Sequence, residues 1–178
     1  MLKVRNVGYM VEGLSYEEAV AETEERKRIN DKAEQIIGTP IEKWPEFSMN
    51  WDTSPEGFHY SFDGAPAGSI NTADRVVMWV RLDELDAVLQ SYNLRTKDEI
   101  WDVGNHRRAA KVIVHCSEGG KLSPIAVVPT TPGKVGLSGG NHRLAIARAK
   151  GVEAVPLLIE KKHAETVTKL ICSIIPTA

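Results

Sequence analysis

Cysteine is the scarcest informative residue of this chain: only Cys116 and Cys172 occur, each inside an apolar stretch. Two cysteines exclude a disulfide-stapled scaffold. No C-x-x-C or H-E-x-x-H spacing is present, so no structural zinc and no zinc-protease site is expected. No run approaches the ~18 apolar residues that a membrane span needs. The first residues also lack the charged-then-apolar pattern of a secretory leader. The expectation from these absences is a cytoplasmic protein with no membrane role.

What is present fits one globular domain, or a domain with an appendage: 178 residues, 42% hydrophobic and 26% charged. The formal net charge is only −2, yet it is unevenly divided. Acids outnumber bases about two to one between residues 12 and 46, whereas bases outnumber acids about three to one between residues 107 and 163. A polyanionic ligand would favour the second half; a solvated basic face is the alternative.

Ser15, followed three residues later by Glu18, reads as a capping box that opens a helix ending at Gly38, with Pro40 just beyond. Its apolar positions are few, so it is expected as an arm or packing flap, with a dimer contact as a further option. Residues 44–74 are rich in Pro, Gly, Ser, Asp and aromatics, with turn pairs at Ser54-Pro55, Glu56-Gly57 and Asp63-Gly64, and predict a long irregular connection. From Arg75 the pattern changes to a strand (75–81), a short helix, a longer helix running from about Thr96 to the Gly119-Gly120 pair, and strands in "PIAVVPT" and "GKVGLSG". A helix in "NHRLAIARAKG", a strand in "VEAVPLLIE" and a C-terminal helix in "KHAETVTKLICSII" complete it. This alternation predicts an α+β domain over residues 75–165, preceded by the arm and connection (1–74) and followed by a helical tail (166–178).

The tetrapeptide GNHR occurs twice, at Gly104 to Arg107 and at Gly140 to Arg143. A chance repeat in a chain of this length arises roughly one time in ten, so only the surroundings discriminate. The second copy sits at a strand-to-helix turn, where Gly139 and Gly140 permit a tight turn and the helix starts at about Asn141. Such an N-terminus presents backbone N–H groups and a positive dipole end, a ready anion site. Arg143 offers a planar fork for phosphate, and His142 a hydrogen bond or a proton. An imidazole beside phosphate is favoured in its charged form, so triphosphate binding is expected to strengthen at lower pH. The first copy lies within a helical pattern, with Gly104 as a kink and Asn105 as an available cap. Arg107, Arg108 and Lys111 of that helix form a basic stripe.

The stretch "EGGKLSPIAVVPTTPGKVGLSGGNHRLAIARAKGVEAVPLLIE" resembles the ParB/sulfiredoxin superfamily, in which a Pro-Ile strand follows a helix ending at Gly, and a second strand runs into a G-x-[HR]-R turn. The resemblance implies a small mixed sheet with packed helices. It also implies a phosphate cradle at Gly139, Gly140, Asn141, His142 and Arg143, opposed by Arg107, Arg108, Lys111 and His115 of the preceding helix, with Glu118 and Ser123 near its end. The activities associated with the superfamily are nucleotide-dependent DNA clamps, sulfiredoxins, small-molecule kinases and ParB-like nucleases.

Asn141 stands where sulfiredoxins carry the attacking cysteine and where partition proteins carry a glutamate, so sulfiredoxin activity is not expected, and hydrolysis by the partition route is in question. Only about eighteen residues follow Glu160, too few for the DNA-reading domain of partition proteins. The favoured expectation is a nucleotide-phosphate-binding protein that uses ATP or CTP with Mg²⁺ for phosphoryl transfer or hydrolysis, with His142, Arg143 and Glu118 as catalytic candidates. Asp102 and His115 are further options for a base. The alternatives are a ParB-like nuclease or DNA-binding protein, and a non-catalytic interaction protein of a phage or mobile element.

Overall fold

A computed structural model describes residues 15–62, 65–171 and 174–175, the last two as backbone only. Cys172 and the Asp63-Gly64 turn pair therefore lie outside the described residues. The first helix, α1 (Tyr16–Ile36), has the expected capping box, with Glu18 N–H donating to Ser15 Oγ and the Glu18 carboxylate accepting from Ser15 N–H. It ends two residues before Gly38, whose φ of 75° is the left-handed conformation that favours glycine.

The connection that follows is irregular but not loose. It contains a two-residue strand, β1 (Asn50–Trp51), and a 3₁₀ stretch, Pro55–Ser61, whose Gly57, Phe58 and Ser61 are buried. Then come β2 (Arg75–Arg81), α2 (Leu82–Val88), α3 (His106–Ser117), β3 (Lys121–Leu122), β4 (Ile125–Pro129), β5 (Val135–Gly139), α4 (Asn141–Ala149), β6 (Ala154–Glu160), α5 (Lys161–Leu170) and β7 (Ile174–Ile175). The protein is thus α+β, as its alternating pattern predicts.

Two expectations change. The helix expected from Thr96 to Gly120 is divided: residues Lys97–Glu99 form a 3₁₀ turn, and α3 begins only at His106. Gly104, at φ 76°, turns the chain, and Asn105 caps α3 by accepting from Arg108 N–H at 3.0 Å. The C-terminal helix stops at Leu170, and Ile174–Ile175 form β7, which pairs antiparallel with β2. Helix α5 accordingly runs across residue 165.

The main sheet has the order β5-β4-β6-β2-β7 and is mixed: β4 and β6 are parallel, and every other neighbouring pair is antiparallel. A second, two-stranded sheet pairs β1 parallel with β3, so the irregular connection is sewn to the segment just after α3. Val80, Leu85, Ile125, Val135, Leu144, Leu157, Val167 and Ile171 form one core in which α2, α4 and α5 cover the sheet. Ile113 of α3 and Ile146 of α4 meet in a second cluster, with Trp44 and Ile100.

The arm is docked through the C-terminal half of α1. Ala33 packs with Ala110 and Val114 of α3, and Trp101 Nε1 donates to Thr39 O at 2.8 Å. At the other end of α3, Glu118 accepts from Arg28 and from Lys32 Nζ, the latter at 2.7 Å. These cations hold the Glu118 carboxyl down at about 2, against 4.5 ordinarily. A depressed folded-state pKa contributes stability above the unfolded value and loses it as pH falls towards the folded one. Amide-exchange protection of α1 should therefore decline between pH 4.5 and about 2, ahead of that of β6. For so exposed a network the effect amounts to about 1 kcal/mol or less. Glu118→Gln should show the weaker protection already at pH 7, and equal protection in both proteins would contradict this assignment.

Candidate functional site

The second GNHR copy lies where expected: Gly140 is the N-cap of α4 at φ 93°, and Asn141 is the first helical residue. Tandem glycines make this turn possible: a Cβ on Gly139 would overlap the Ser61 carbonyl oxygen, and one on Gly140 would sit 3.0 Å from Ile125 Cδ1. The first intrahelical bond runs from Leu144 N–H to Gly140 O, so the amides of Asn141, His142 and Arg143 precede the helical ladder. Gly140 has no side-chain oxygen to cap them. In the first copy, by contrast, Asn105 takes a first-turn amide itself.

Across from this turn lies α3. The cleft between them has a volume of about 370 Å³; it is lined by Arg108, Lys111, Val112 and His115 of α3 and by Leu137 to Arg143, with Tyr60 and Leu122 also in the lining. A second hollow, also about 370 Å³, shares Tyr60, His115, Leu122 and Arg143 and continues to Asp52, Lys121 and Ser123. No carboxylate borders the first cleft among the described residues, so its charged lining is cationic.

The structure therefore unites Gly139, Gly140, Asn141, His142, Arg143, Arg108 and Lys111, with Ser123 in the adjoining hollow. Arg107 is elsewhere: it pairs with Glu34 of α1 at 2.6 Å and borders a separate depression with Gly104, Asn105 and His106. Glu118, bound to Arg28 and Lys32, and Asp102 are both absent from the cleft lining. Cys116 is buried, and burial pushes its thiol up to about 11, which makes it a packing residue rather than a nucleophile.

Arg143 differs most from its expected role. It is 9% exposed. Nη1 donates to Tyr60 O at 3.2 Å and to the Ser123 carbonyl at 2.9 Å as well as the Ser123 hydroxyl, while Nη2 donates to Ser61 O at 3.0 Å. A fork engaged by protein oxygens positions the α4 turn, and Arg108 and Lys111 are the other cationic side chains of the cleft lining.

The two imidazoles of the cleft are held differently. His115 Nε2 lies 2.9 Å from Lys121 O, and a carbonyl only accepts, so the neutral ring carries its proton on Nε2 and leaves Nδ1 unprotonated. Gly120 makes room for this ring, which a Cβ there would strike. His142 Nδ1 lies 3.1 Å from Arg95 Nη1. Asn141 Oδ1 accepts from Asn93 Nδ2 at 3.2 Å. Neither Asn93 nor Arg95, both buried, stands out in the sequence: each is a lone polar residue in a short loop without a motif. Tyr60 was equally invisible, because only the folded connection brings it over the cleft.

Among the described residues, no group of three or more His, Cys, Asp or Glu is placed to hold a metal ion. No helix among them is long and apolar enough to cross a membrane. Comparisons of the chain with family models, with curated proteins and with solved structures find no match in any of the three.

Two substitutions test this geometry through stability. Arg143→Met should leave Tyr60 O, Ser61 O and Ser123 without their donor and destabilise the protein by about 2–4 kcal/mol in denaturant unfolding. Gly139→Ala should cost about 1–3 kcal/mol, because the Ser61 carbonyl is backbone and yields only by moving the connection. A change below about 0.5 kcal/mol in either would show that the connection does not depend on this contact.

Proposed function

We propose that the protein binds the phosphate groups of a nucleoside triphosphate, ATP or CTP, in the cleft between α3 and α4. One observation carries the reading: an N-terminal helical turn capped by glycine faces Arg108 and Lys111 across a cleft whose described lining holds no carboxylate. Helix-terminal amides and charge-assisted donors are the groups that phosphate oxygens select. The resemblance of residues 75–160, densest from Gly120 onward, to the ParB/sulfiredoxin superfamily points in the same direction.

Phosphoryl transfer or hydrolysis is the chemistry that such a site serves, through positioning and charge stabilisation. The first-turn amides hold the phosphate oxygens, Lys111 and Arg108 balance their charge, and His142 donates a hydrogen bond. The base is His115, whose Nδ1 is left to accept a proton from the attacking hydroxyl or water. Magnesium enters as the counter-ion carried by the phosphates. The described lining offers it no carboxylate, and no step is assigned to it. A metal-dependent nuclease uses carboxylates beside the scissile phosphate, and the described lining offers none in support of that alternative.

Titration calorimetry of the full chain against ATP, CTP, GTP and ADP, with and without Mg²⁺, tests the reading. At least one triphosphate should bind, and Lys111→Ala should weaken it about tenfold or more, the loss of about 1.5–3 kcal/mol for a charge-assisted bond. Arg107→Ala should change affinity less than about threefold, because that side chain is paired with Glu34. Absence of binding by all four nucleotides would leave the interaction-protein alternative. If turnover is found, His115→Gln should lower it about 10²-fold or more without altering affinity.

A further inference from the structure

We infer that Tyr60 is the platform on which the base of the bound nucleotide stacks, the contact by which this site recognises a nucleoside as well as its phosphates. The inference rests on the nucleotide reading above and adds the part of the ligand that helix amides and cations cannot specify. Tyr60 lines both the α3–α4 cleft and the hollow that adjoins it. At 71% exposure it stands at their rim rather than deep in a wall. Tyr16 and Tyr92 are as exposed, but neither lines the cleft or the hollow.

A single exposed aromatic on a loose loop would carry little meaning. This one is presented from a fixed backbone. Phe58 and Ser61 on either side of it are buried, the Tyr60 carbonyl accepts from Arg143 Nη1 at 3.2 Å, and the Ser61 carbonyl accepts from Nη2 at 3.0 Å. The His59 ring stands against the phenol ring with centroids 3.8 Å apart and planes tilted by 39°. His59 is itself tied down, since its Nδ1 lies 2.9 Å from Glu56 O and a carbonyl only accepts. One face of Tyr60 is thus backed by a second ring, and its exposure leaves the other face open. A rigid aromatic beside a phosphate cleft suits a nucleobase, whose flat surface gains by leaving water against another ring. Every base has such a surface, so the contact accepts any nucleoside and adds nothing for polyphosphate alone.

Titration calorimetry of the full chain with ATP, CTP and inorganic tripolyphosphate tests this. Tyr60→Ala should weaken the nucleotide that binds about tenfold, and tripolyphosphate less than about twofold. Tyr60→Phe keeps the ring and should hold nucleotide affinity within about twofold of the wild type. The Arg143 bond uses the backbone carbonyl, which both variants retain, and their binding of tripolyphosphate verifies that the cleft is folded. Equal losses of nucleotide and tripolyphosphate in Tyr60→Ala would overturn the inference, as would no loss of either. A loss in Tyr60→Phe as large as in Tyr60→Ala would assign the effect to the phenol hydroxyl and overturn stacking. If the wild type binds neither tripolyphosphate nor a nucleotide, the phosphate reading fails and takes this inference with it. Binding of both with nucleotide affinity indifferent to Tyr60 removes this inference alone.

Discussion

The guanidinium of Arg143 gathers oxygens from two distant parts of the chain, Tyr60 and Ser61 in the connection and Ser123 before β4, onto the first turn of α4. A buried cation is costly unless its donors are paired, so these oxygens and the charge need one another. The absent Cβ of Gly139 lets the Ser61 carbonyl approach closely enough to close the arrangement. Together these contacts hold the connection against the sheet, seat Tyr60 over the cleft and fix where the α4 amides point. The cleft is a consequence of that junction.

The same four letters sit differently on their helices because the residue that caps each helix differs. In the first copy Asn105 is the cap and takes the Arg108 amide, so one of its first-turn donors is met within the turn itself. In the second copy the preceding glycine is the cap, and Asn141, displaced into the helix, turns its oxygen to Asn93. A side-chain cap and a bound anion compete for the same amides. The extra glycine before the second copy is the difference between them.

Much of the fold was legible from local signals. The capping box at Ser15, the β-branched run from Arg75 to Arg81 and the glycine pair before Asn141 each specify their element through chemistry that acts within a few residues. Apolar periodicity continues a helical pattern on both sides of Gly104 and so ran the two segments together, but the lone glycine and Asn105 were already legible as the kink and cap that open α3. The short pairing of β7 with β2 depends on a partner almost a hundred residues away. In the site, the glycine turn and the basic stripe were readable. The reassignment of Arg143, the loss of Glu118 to α1 and the arrival of Arg95 all depend on which oxygen or charge a long side chain meets after folding. The letter is compatible with either outcome, and only burial and geometry choose.

The central claim is that the α4 amides and the α3 cations grip one set of phosphates from opposite sides. A crystal structure of the full chain grown with a non-hydrolysable ATP or CTP analogue tests it most directly. The account predicts phosphate oxygens within hydrogen-bonding distance of the first-turn amides of α4, with Lys111 or Arg108 on the opposite side of the same groups. Phosphates seated instead at Gly104 to Arg107, or a nucleotide bound away from the α3–α4 cleft, would contradict it.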